Sequence, residues 1–193
     1  TALRAGRRGV AHGVDGVIHA LGQLAAHVCD FLGQDFLALC QARADVVVLI
    51  PSSCALLDPI AFERVLACFM RAHGGFDYVT NLHPGTWPDG NDVEVVPMAL
   101  LEVAWCDAEL GFEREHTTPF IWDQPERFRL ANGRWHRDLS QTHRLTLDYR
   151  EDYELIRAVF DELWTPRRIF ALAEILDLLA ARGTAGLGVL PMR

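Results

Sequence analysis

Lysine does not occur in this chain of 193 residues; all 18 basic side chains are arginine. That absence excludes Schiff-base chemistry and a lysine-based phosphate loop. Set beside the abundant alanine, it reads as a mark of genomic base composition. Positive charge is also in deficit, with 26 acidic residues and a net charge of −8. A nucleic-acid-binding surface would show a basic patch, so no nucleic-acid partner is expected. No apolar run approaches the roughly 20 residues of a membrane span, and the first residues lack a signal-peptide pattern. The expectation is a cytoplasmic protein without membrane insertion. The five cysteines, at 29, 40, 54, 68 and 106, include no C-x-x-C pair. No zinc site is visible, and an odd count suggests free thiols. Cys29, Cys40 and Cys68 fall inside apolar helical patterns and read as packing. Repeats and low-complexity linkers are lacking too, so residues 1–182 read as one domain and 183–193 as a loosely held, glycine-rich tail.

What is present is ordinary globular material: half the residues are hydrophobic and 23% are charged. A chain of this length buries roughly 70% of its unfolded surface and needs no covalent staple. Apolar spacing predicts helices over Val14–Leu32 and Gln34–Arg43. His12, His19 and His27 lie in or just before the first of these and read as partly exposed packing positions. Asp45–Ile50 is a nearly continuous β-branched run, the pattern of a strand covered on both faces. After it, Asp58 and Pro59 form a cap and first turn for a helix reaching about Ala72, which Gly74-Gly75 ends. Strands are predicted at Phe76–Thr80, Asp92–Val96, Arg127–Leu130 and Arg144–Asp148. Helices are predicted at Met98–Glu109, much of Phe112–Trp122, Glu151–Trp164 and Phe170–Ala181. Such alternation predicts a three-layer α/β/α sandwich around a mostly parallel sheet. Ligands would bind beyond the carboxyl ends of its strands, at the loops 51–58, 81–91 and 148–152.

Three stretches carry the polar chemistry. Ser52-Ser-Cys-Ala-Leu-Leu-Asp-Pro59 follows the buried strand. Asp77-Tyr-Val-Thr-Asn81 leads to Trp87-Pro-Asp-Gly-Asn-Asp-Val-Glu94. Glu113-Arg-Glu-His-Thr-Thr-Pro119 is answered by Leu145-Thr-Leu-Asp-Tyr-Arg-Glu-Asp152. Asp92 and Glu94 alternate along one strand face, so both can point into a crevice at the sheet's end. Arg114, Glu115 and His116 are consecutive on a helix and cannot all face one way.

In this order the stretches resemble the cytidylyltransferase-like family of spore coat polysaccharide biosynthesis and CMP-Kdo synthetase type. That family shows T/S-D-C-P-L-I-D-P, D-Y-V-S-N, Y-P-x-G-x-D-V-E, R-E-H-V-T-P and T-V-D-x-x-E-D. The resemblance covers about Asp45 to Leu179. It implies a nucleotide-diphospho-sugar-transferase-like fold and attack of a sugar hydroxyl on the α-phosphorus of CTP, with release of pyrophosphate. It further implies a Mg²⁺ cofactor, nucleotide and sugar ligands, and a homodimer. Carried over by position, Asp148 is a catalytic residue and metal ligand, with Arg114 and His116 as further catalytic candidates. Ser53, Asn81, Asp92, Glu94 and Glu115 are the substrate-binding candidates.

Two departures weigh against full activity. Ser53 stands where the family has its other metal-binding aspartate, and a neutral hydroxyl is a weaker Mg²⁺ ligand. Asp58 is no natural replacement, since it serves as a helix cap. The family's opening strand and lysine-ended loop have no counterpart in Arg4-Ala-Gly-Arg-Arg-Gly9, so the first nucleotide-binding unit is expected to be missing or altered. Two functions therefore stand side by side: a nucleotidyltransferase of activated-sugar or surface-polysaccharide biosynthesis, and a catalytically impaired relative that binds a nucleotide sugar or serves as a structural subunit. A cysteine-nucleophile enzyme built on Cys54 has little support, because no G-x-S-x-G elbow and no nearby histidine accompany it.

Overall fold

The computed structural model describes residues 44–116 and 118–182. The expected helices at Val14–Leu32 and Gln34–Arg43, the three early histidines, the tail and the side chain of Glu115 lie outside the described residues. Along the chain come β1 (Val46–Leu49), α1 (Pro59–Arg71), β2 (Tyr78–Thr80), β3 (Glu94–Pro97) and α2 (Met98–Asp107). They are followed by α3 (Gly111–His116), α4 (Pro119–Trp122), β4 (Leu130–Asn132), α5 (Arg150–Leu163) and α6 (Leu172–Arg182).

The four strands form one sheet in the order β1-β3-β2-β4. β3 runs antiparallel to both its neighbours, with Val48 opposite Val95 and Val79 opposite Val95 on the other side. β2 and β4 are parallel, Val79 facing Ala131. Among the described residues the sheet is thus mixed, and the expectation of a mostly parallel sheet is corrected. The physical reason is plain. An unbroken apolar strand reports cover on both faces, and cover does not depend on strand direction. β1 and β2, each antiparallel to β3, point the same way; α1 crosses between them and leaves a slot that β3 fills.

Period-two alternation sorts the strand side chains between two cores. Val48, Val79 and Val95 face Ala61, Phe62 and Val65 of α1, Leu155, Ile156 and Val159 of α5, and Leu172, Ile175 and Leu179 of α6. Val47, Leu49, Tyr78 and Val96 face Met98, Leu101 and Ala104 of α2 and Phe120 and Ile121 of α4. Each aliphatic side chain so enclosed contributes about 1.5–3 kcal/mol of burial.

Local signals explain the element ends. The Asp58 carboxylate accepts the Ile60 N–H at 2.7 Å and Pro59 opens α1. The chain leaves α1 through His73 and Gly74, both in the left-handed region with φ of 47° and 84°. The long helix expected over 112–122 is two: α3 ends at His116 and Pro119 starts α4, because proline disfavours helical geometry in the residue before it. The strand expected at Arg127–Leu130 sits two to three residues later, as β4. Arg144–Asp148 is not a strand. It is an extended segment whose Leu145 and Leu147 N–H groups donate to the carbonyls of Asp89 (2.7 Å) and Ser53 (2.9 Å).

Candidate active site

Those two bonds pull three loops together: the loop after β1, the loop before β3 and the segment before α5. Gly90 makes the closest approach. Its φ is +97°, and a Cβ there would lie 2.6–2.8 Å from the backbone of Leu145 and Thr146. Only glycine fits both the conformation and the space.

The long loop from Asn81 to Asn91 is tied down along its length. Trp87 donates its indole N–H to the Gly133 carbonyl at 2.8 Å. The Thr86 hydroxyl accepts the Trp135 N–H at 2.8 Å, and its carbonyl accepts the Leu139 N–H at 2.9 Å. Asn132 donates to the Pro84 carbonyl at 2.9 Å. Trp87 and Trp135 lie 4.3 Å apart, with the Arg64 guanidinium 5.0 Å from the second ring. Asn81 belongs to this framework: its side chain donates to the Asn91 carbonyl at 2.6 Å and accepts the Val93 N–H at 2.9 Å. It shapes the loop, and it is 1% exposed.

At the meeting of the loops sits Arg144, its side chain 16% exposed and ion-paired with Asp89, Asp148 and Asp152. Asp152 is the third residue of α5 and accepts the N–H groups of Asp148 and Tyr149 at 2.9 and 2.8 Å. This is the acidic half of a capping box. Burial works against the Asp152 charge, but those N–H groups and Arg144 outweigh it and hold its carboxyl below the usual range. Burial raises Asp89, with Arg144 opposing and Asp148 adding to the rise.

On the adjoining side, Asp92 and Cys54 lie close enough for each to act on the other's proton. Burial, then the Asp89 and Glu94 charges, push Asp92 up to about 7. Burial, then the Asp92 charge, push the Cys54 thiol up to about 12. A thiol so disfavoured as thiolate is no nucleophile at neutral pH. Glu94, on β3, accepts from the Tyr78 hydroxyl, and burial raises its carboxyl.

The expected site residues divide into two groups. Ser53, Asp92 and Asp148 come together at the loops, with Ser53 half-buried and Asp148 half-exposed. Arg114 and His116 lie on α3, and the contacts of Arg114 run to α2: its guanidinium donates to the Ala108 carbonyl at 2.8 Å and stands 5.6 Å over Trp105. His116 is exposed at the end of α3. Sequence reading passed over Arg144, Asp89, Asp152 and Cys54 as members of the site. The four-residue steps Arg144–Asp148–Asp152 were the available signal, one arginine followed by two aspartates at the approach to a helix and in its first turn.

Among the described residues no three His, Cys, Asp or Glu side chains are placed to hold a metal ion. Asp148 is one carboxylate, already shared with Arg144. The described residues do not fit a resident Mg²⁺, and no step below passes through one. No described helix is long and apolar enough to cross a membrane.

No family model matches the chain, and no curated protein matches it. Among solved structures, it is similar to a cytidylyltransferase from Leptospira borgpetersenii serovar Hardjo-bovis, at 21% sequence identity and a TM-score of 0.77. The likeness covers 93% of this chain and 76% of that one. At that identity the likeness establishes the α/β fold.

Proposed function

We propose that the chain is a nucleotidyltransferase that moves CMP from CTP to a sugar-like hydroxyl, within a three-layer domain of nucleotide-diphospho-sugar-transferase type. The observation that supports the reading is the meeting of three separated motifs, where the Leu147 N–H donates to the Ser53 carbonyl and the Leu145 N–H to the Asp89 carbonyl. The likeness in fold to a cytidylyltransferase supports it. In the reaction, the acceptor hydroxyl attacks the α-phosphorus, its proton passes to a base, and pyrophosphate leaves. Such chemistry is mostly positioning and charge neutralisation. Asp148 and Asp92 would orient the acceptor, and any Mg²⁺ enters as the counter-ion of the CTP substrate. Assembly as a homodimer belongs to the proposal and is read by sedimentation.

A second reading rests on Ser53. A hydroxyl at this position, beside an Asp148 already paired with Arg144, gives a Mg–triphosphate little to bind. The chain would then be an impaired relative that holds a nucleotide sugar or supports a partner subunit. One experiment separates the two: thermal shift with CTP, UTP, GTP, ATP and CMP, with and without Mg²⁺, followed by pyrophosphate release. A ligand at about a hundred times its Kd stabilises by about 2.7 kcal/mol, a rise of about 5–10 °C at this size. Flat curves with every nucleotide would sink the transferase reading. Binding without pyrophosphate release, gained by Ser53→Asp, would select the impaired one.

A further inference from the structure

We infer that an exposed aromatic face of α5 is an interface, docking antiparallel on the same face of a second copy of this chain. The inference rests on the homodimer of the proposed function and not on its chemistry. α5 carries two apolar faces. Leu155, Ile156 and Val159 point into the core. Tyr149 and Trp164 flank the helix, and Tyr153 and Phe160 lie within it. Their steps of four, seven and four place all four within an arc of about 60° beside the buried face, at 3.6 residues per turn. In chain order they are 64, 54, 38 and 56% exposed, and exposed Ile169 lies just beyond them in the chain. Phe170 backs Phe160 edge-on at 5.3 Å, and the Arg144 guanidinium lies 5.3 Å from the Tyr149 ring. A fully covered aromatic side chain hides about 150–250 Å², so these four leave about 400 Å² facing water. A patch of that size on a monomer is often functional, and aromatic residues are enriched at the centres of interfaces.

The charges beside the patch select its occupant. Arg150, Glu154, Arg157 and Asp161 run along one flank of the aromatic stripe and alternate in sign. They form exposed pairs, Arg150 with Glu154 at 3.4 Å and Arg157 with Asp161 at 3.6 Å. A two-fold axis across the helix reverses the series and keeps this flank on the same side for both copies. Arg150 then faces Asp161 of the second copy, and Glu154 faces Arg157 of the second copy. The same reversal brings Tyr149 to Trp164 and Tyr153 to Phe160. Parallel, in-register pairing would set like charge on like, which disfavours it. A surface of one sign, such as a membrane or a nucleic acid, would meet as many opposed charges as matched ones. Two copies cover about 800 Å² of aromatic surface, and the charged rim brings the total to about 1,200 Å², the lower edge of specific interfaces. The dimer is therefore reversible, with a Kd on the order of 10 µM.

The test is sedimentation velocity of the full chain from about 1 to 200 µM, a range that brackets the expected Kd. The sedimentation coefficient should rise with concentration from monomer to dimer. Tyr153→Ala combined with Trp164→Ala should raise the Kd about tenfold or more, with the circular dichroism spectrum unchanged. Phe112→Ala, at an exposed aromatic on α3, should leave it alone. Glu154→Arg and Arg157→Glu each set like charges opposite one another and should each weaken self-association about tenfold. Mixed in equal amounts, these two variants should recover the dimer, because each supplies the charge the other lacks. Should the alanine pair not fold, the mixing experiment decides alone. A dimer indifferent to all these changes uses another face; it overturns the inference and leaves the homodimer standing. A monomer at every concentration overturns both. The nucleotide panel scores the transferase reading separately, since neither outcome of sedimentation bears on CTP.

Discussion

Replacing Asp58 by alanine cuts two parts of the fold loose at once. The carboxylate is 2% exposed and both its oxygens are used. One accepts the Ile60 N–H at 2.7 Å, capping α1; the other accepts the Leu172 N–H at 2.8 Å, at the first residue of α6. Loss of an N-cap costs about 1 kcal/mol. The Leu172 N–H is then left buried without an acceptor, at about 1–3 kcal/mol. The sum is about 3 kcal/mol, or a fall in Tm of about 6–12 °C for a chain this long. Asp58→Asn keeps one acceptor and should lose about 1 kcal/mol. Urea unfolding followed by circular dichroism reads both, with the m-value reporting whether α6 still unfolds with the rest. A loss under about 0.5 kcal/mol for Asp58→Ala, with an unchanged m-value, would refute the two-helix account.

Three further outcomes are expected. Gly90→Ala forces a Cβ into backbone at 2.6 Å and should cost about 3 kcal/mol or more, read by the same unfolding curves. Asp92 holds a proton in the folded state up to about pH 7 but loses it near 4 when unfolded, so its stabilising contribution is present below pH 4 and lost as pH rises through 7. Asp92→Asn should thus gain on the parent between pH 4 and 8, by about 2 kcal/mol once solvent screening is allowed for; a constant difference across that range would refute the assignment. Iodoacetamide at pH 8 should label exposed Cys106 in the native protein and leave Cys54 unlabelled until denaturant is added, with peptide mass mapping as the readout.

Much of the architecture was legible because it is local. The Asp58-Pro59 start of α1, the apolar run of β1 and the amphipathic spacing of α5 and α6 each reside within a dozen or so residues. Strand direction was not, since a two-sided apolar strand looks alike in either sense. Of the site, the motif residues Ser53, Asp92 and Asp148 were found by pattern. The contacts that bring them together join residues far apart in sequence: Leu147 to Ser53, Leu145 to Asp89, Cys54 to Asp92. Nothing in a single sequence records such pairings. The same holds for the second bond of Asp58, made to a residue 114 positions away.

The tethering of residues 81–91 bears on how this stretch exchanges its amide protons. By composition it is a loop of Pro, Gly, Asn and Asp, which would ordinarily exchange within seconds. The Asp89, Trp135 and Leu139 amides that lock it to the 132–143 segment are bonded at 2.8–3.1 Å. They should open only when that whole segment detaches, and so exchange together as one cooperative unit. The loop and the segment it is tied to then form a single body that moves all at once, on the timescale of local unfolding, and not a set of independently fluctuating side chains.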